Sequence, residues 1–137
     1  MAESFAKDWL STRCFHNAFE IVSRSITEDY EPVGSPASEH GVTVLREEFG
    51  LDISNHESCL ITRDDVSRAL AVIGVTKSHA AHVRQLYPEY KDKIIALSRD
   101  VCDPWHGPKS EYLRCAHTMK PLVEEALVRI TEIQSLK

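Results

Sequence analysis

The sequence predicts an α/β domain, and three observations carry that prediction. Two short apolar runs rich in β-branched residues, near 69–75 and 93–97, read as strands buried on both faces. Segments of helical periodicity lie before, between and after them, the alternation that builds a parallel sheet with helical cover. Prolines, glycines and capping residues fall at the joins.

From about Ser4 to Tyr30, apolar residues recur at intervals of three to five: Phe5, Trp9, Leu10, Phe15, Ala18, Phe19, Val22 and Ile26. That spacing predicts one extended N-terminal helix. Glu31-Pro-Val-Gly-Ser-Pro36 is a loop, because two prolines and a glycine break both periodicities. Ser35 and Pro36 then read as an N-cap and first helical position, with Val42, Leu45 and Phe49 on the buried face and Gly50 as the stop. Residues 51–60 show no period and read as irregular. Thr62-Arg-Asp-Asp65 has the form of a capping box opening a short helix. After the first strand, Thr76 can cap a helix that reaches Leu86 and is closed by Pro88. The second strand leads into a polar, aromatic loop over 98–109. A final helix runs from Ser110 to about Gln134, with Tyr112, Ala116, Met119, Leu122, Val123, Ala126, Leu127, Ile130 and Ile133 on one face. Two strands bury little by themselves, so most of the core must be helix packed on helix or on strand. An unpaired strand edge is also left open to another chain.

At 137 residues the chain fits one domain, large enough to stand without staples or metal. Its 42% hydrophobic and 27% charged residues, with five Gly and six Pro, exclude a disordered or fibrous chain. A net charge of -5 argues against a nucleic-acid partner held by a positive field. No apolar run approaches the roughly 20 residues that span a bilayer. The N-terminus carries early acids and no hydrophobic block, so it is not a secretory signal. Four widely spaced cysteines (14, 59, 102 and 115), with no Cys-x-x-Cys, then read as reduced thiols in a soluble, cytoplasmic protein.

From residue 35 onward the order of features resembles the low-molecular-weight protein tyrosine phosphatases, a family that includes protein arginine phosphatases. The matching runs are Gly34-Ser-Pro-Ala-Ser-Glu-His-Gly-Val-Thr-Val-Leu-Arg-Glu-Glu-Phe-Gly-Leu-Asp-Ile-Ser-Asn-His56 and Leu60-Ile-Thr-Arg-Asp-Asp65. They continue through Val75-Thr-Lys-Ser-His79, Leu86-Tyr-Pro-Glu-Tyr-Lys-Asp-Lys-Ile-Ile-Ala-Leu97, Val101-Cys-Asp-Pro-Trp-His-Gly107 and Ser110-Glu-Tyr-Leu-Arg-Cys-Ala116. The resemblance implies a three-layer phosphatase-I-like fold around a four-stranded parallel sheet, here reduced to the strands near 69–75 and 93–97. One domain overall is expected, with 1–34 a divergent helical segment and 35–137 the phosphatase-like α/β region.

The same resemblance implies a mechanism. A cysteine attacks phosphorus while backbone amides and an arginine hold the phosphate, and an aspartic acid followed by proline protonates the leaving oxygen. Asp103-Pro104 falls at the acid position, with Trp105 at the rim of the cleft; an ordinary Asp-Pro turn is the plainer alternative. The loop signature is a cysteine, five residues, then arginine. The residues six places before the arginines at 13, 24, 46, 63, 68, 84, 99, 114 and 129 are Lys7, Ala18, His40, Glu57, Thr62, Ser78, Lys93, Pro108 and Val123. None is cysteine. The best ungapped placement sets residues 5–13 on the loop, with Lys7 at the nucleophile position, Trp9 where a glycine belongs and Arg13 as the phosphate-loop arginine.

The other reactive candidates have plain alternatives. Cys14 adjoins Arg13, but on a helix it reads as a small buried hydrophobe. His79 and His82 share a helix face and His106 shares a loop with Asp103, yet no third ligand stands at a metal-site spacing. Arg84 and residues 91–93 sit among acids and read as a solvated face. No cofactor and no metal are expected.

The expected function is that of a catalytically degenerate phosphatase-like protein. It would bind a protein partner or a second copy through an open sheet edge and apolar helix faces such as the one bearing Trp9, with no nucleic acid or membrane as partner. An active phosphatase acting on phosphotyrosine or phosphoarginine, with Asp103 as acid, is the first alternative. A truncated or spliced form of an active phosphatase is the second.

Overall fold

The computed structural model describes residues 1–12, 19–27, 33–101, 104 and 107–135, with side chains as far as residue 132. Helix α1 (Ala2–Ser11) forms because Phe5, Ala6, Trp9 and Leu10 recur on one face and no β-branched residue interrupts them. It ends at Thr12, whose hydroxyl donates to the Trp9 carbonyl at 2.8 Å. The extended helix expected as far as residue 30 is therefore not formed. Residues 13–18 and 28–32 lie outside the described residues, and 19–27 are not helical. There Ser25 lies parallel to Leu60, donating to the Cys59 carbonyl at 2.7 Å and accepting from Ile61 at 2.9 Å. Pairing with a distant segment outweighs an apolar period that β-branched Val22 and Ile26 support only weakly as helix.

Helix α2 (Glu39–Phe49) starts later than expected. Ser38, not Ser35, is the cap, accepting the Gly41 N–H at 3.3 Å. Ser35 and Gly34 are instead held extended by backbone hydrogen bonds of 2.8 Å to Ser58, and Pro36 pairs antiparallel with Glu57. Gly50 ends the helix at φ 67°, a left-handed turn that suits glycine. The Thr62–Asp65 capping box is present and opens α3 (Arg63–Arg68). Strand β1 (Val72–Gly74) leads through the Thr76 cap into α4 (Lys77–Leu86). A 3₁₀ turn over Pro88–Lys93 then feeds β2 (Ile94–Ala96), and α5 (Lys109–Ser135) closes the chain. The strands are shorter than the apolar runs that predicted them, but they pair in parallel, Val72 with Ile94 and Gly74 with Ala96.

The alternation of side chains along β1 and β2 sorts the core into two layers. Ile73, Val75 and Leu97 join the larger cluster with Phe5, Trp9 and Leu10 of α1, Val44 and Leu45 of α2 and a long face of α5. Val72, Ile94 and Ala96 face the smaller one, with Val66 of α3 and Ala80 and Val83 of α4. The result is the expected α/β arrangement, helices covering both faces of a small parallel sheet. Trp9 is buried against this core, so its face needs no outside cover.

Arg84 and Lys93 do more than solvate a surface. Arg84 donates through Nε and Nη2 to the Ile94 carbonyl at 3.1 and 2.6 Å, tying α4 to β2. Lys93 donates to the Ser67 and Ala69 carbonyls at 2.9 and 2.8 Å and so closes the C-terminal end of α3. His79 and His82 are exposed on α4, and no group of three metal-ligating side chains occurs among the described residues.

Gly74 sits where α4 crosses the sheet most closely. A methyl group added there would lie 2.7 Å from the Ala80 backbone nitrogen. Gly74→Ala is expected to cost about 1–3 kcal/mol, the range for overpacking a tight core. An unchanged urea midpoint would count against this account of the α4 contact.

Candidate functional site

The first turn of α1, the extended residues 23–25, the irregular stretch 52–59, Val75 at the end of β1 and Met119 of α5 enclose an open cavity of about 530 Å³. It lies beside the carboxyl end of a parallel strand, the place where open α/β sheets take ligands. Each wall is positioned by local structure. Backbone hydrogen bonds to 59 and 61 fix Ser25, and those between Ser58 and residues 34–35 fix the irregular stretch. Met119 and Val75 make an apolar floor that continues into the main core.

The charges around the cavity are already matched. Lys7 bonds Glu3 at 3.2 Å, and Arg24 bonds Asp65 at 3.1 Å. Burial pushes the Glu3 carboxyl up, but hydrogen bonds from Lys7 and Ser23, with the charge of Lys7, outweigh it and hold Glu3 below its ordinary value. Asp65 is held down in the same way, burial being overcome by the Thr62 N–H and hydroxyl and by the Arg24 guanidinium. Exposed Asp52 is lowered by its hydrogen bonds from Ser54, the backbone one 2.9 Å long. Burial lowers the Met1 amino group, against the raising pull of Glu3. Each lining guanidinium or ammonium side chain therefore has a carboxylate of its own, and none stands ready for a phosphoryl group.

Several sequence candidates can be placed against this geometry. Lys7, set at the nucleophile position by the ungapped alignment, is an exposed helical residue paired with Glu3. Residues 5–11, taken there for a phosphate loop, are helix, with Phe5 and Leu10 only 1% and 3% exposed. Residues 5–11 therefore form no phosphate loop, because amides turned toward an anion cannot also be spent on helical hydrogen bonds. Arg13, Cys14, Cys102, Asp103, Trp105 and His106 lie outside the described residues. Pro104, next to the expected acid, accepts the Gly107 N–H at 2.7 Å. Among the described cysteines, Cys115 is buried in the core, while Cys59 is exposed on the cavity wall. Sequence reasoning passed over the wall residues from 23 to 25 and 52 to 59. Their signal was the absence of period in a polar stretch rich in Asn, His, Ser and Cys.

No family model matches the chain. A protein-arginine phosphatase from Geobacillus stearothermophilus is 29% identical over 98 residues, covering 66% of this chain and 65% of that relative's length. Among solved structures, a low-molecular-weight protein tyrosine phosphatase from T. tengcongensis superposes with a TM-score of 0.83 at 28% identity, over 93% of this chain and 88% of that one. An arginine phosphatase from Geobacillus stearothermophilus gives 0.79 at 23% identity, over 98% and 83%. A tyrosine phosphatase from Entamoeba histolytica gives 0.86 at 15% identity, over 97% and 88%. The chain has the α/β fold of the low-molecular-weight protein tyrosine phosphatases and is similar to that family in sequence.

Glu3 joins α1 to the cavity wall, and its carboxyl sits below the ordinary 4.5, so its contribution is present above that pH and lost as pH falls through the lowered value. Glu3→Gln is expected to lower the urea midpoint at pH 7 and to narrow the difference between pH 7 and pH 3. Equal pH dependence in the two proteins would remove Glu3 from this role.

Proposed function

We propose that this chain is a catalytically degenerate phosphatase-like protein that works by binding another protein. One observation supports the reading above the rest. No arginine follows a cysteine at the loop spacing, and the stretch that best fits the loop is helix packed into the core. Phosphoryl transfer rests on positioning and charge stabilisation, and the amide cradle with its arginine supplies both. Around the described cavity, Arg24 is engaged by Asp65 and Lys7 by Glu3.

The phosphatase relatives favour a second reading, in which the chain is active on phosphotyrosine or phosphoarginine with Asp103 as the acid. That reading needs a nucleophile, and Cys14 beside Arg13 is the available thiol. The two readings part on one assay. Hydrolysis of p-nitrophenyl phosphate and of phosphoarginine at mildly acidic pH is expected to stay at the level of an Asp103→Asn control. Turnover that this substitution abolishes would overturn the degenerate reading and establish the acid.

A further inference from the structure

We draw no further inference here: the strongest candidate, the open cavity between the first turn of α1 and the irregular stretch 52–59, has Lys7 and Arg24 already paired with Glu3 and Asp65 and no unpartnered buried polar side chain among the described residues, so nothing in the structure shows what covers it.

Discussion

A parallel pair of three-residue strands cannot exclude water from its own faces, and everything else in this molecule follows from that constraint. Much of the cover comes through α5, whose 27 residues pack against both α1 and α2 and bring Tyr112, Ala116, Met119, Val123 and Ala126 into the larger core cluster. Phe5 meets Phe49 edge-on at 5.0 Å, so α1 and α2 also touch each other over the same helix. The larger core is consequently a helix cluster with the sheet as one wall, and its stability depends on side-chain fit more than on ladder hydrogen bonds. On the other face the cover is thin, and polar clamps assist it. Arg84 and Lys93 each hold backbone carbonyls that would otherwise end a strand or helix without partners.

The helices after residue 35 were legible because their punctuation is local. Thr62 with Asp65, Thr76, and Gly50 each act within one turn of the chain, so sequence spacing reveals them. What failed depends on partners far away in sequence. Residues 19–27 have an apolar period that fits a helix, but Ser25 finds Leu60, and a long-range pairing leaves no trace in a window of a dozen residues. The start of α2 slipped for the same reason, since Ser58 holds Ser35 extended and leaves Ser38 to cap. The cavity was illegible because it is lined by residues from six separate stretches, none carrying a motif. The two residues singled out for chemistry, Arg13 and Asp103, fall outside the described residues, so the site that can be discussed in atomic terms is a different one.

That difference bears on how the similarity to phosphatases should be used. A TM-score of 0.83 at 28% identity speaks to scaffold, and scaffold is what α2, α4, β1, β2 and α5 provide. Activity belongs to a constellation: a lowered thiol, amides turned on one oxygen set, an arginine and an acid, each within hydrogen-bond reach of the others. The helix over Ala2–Ser11 uses its amides within itself, and its lysine answers its own glutamate. The core that sets stability lies in the α5 layer, so a shared scaffold and a shared constellation are separate physical questions.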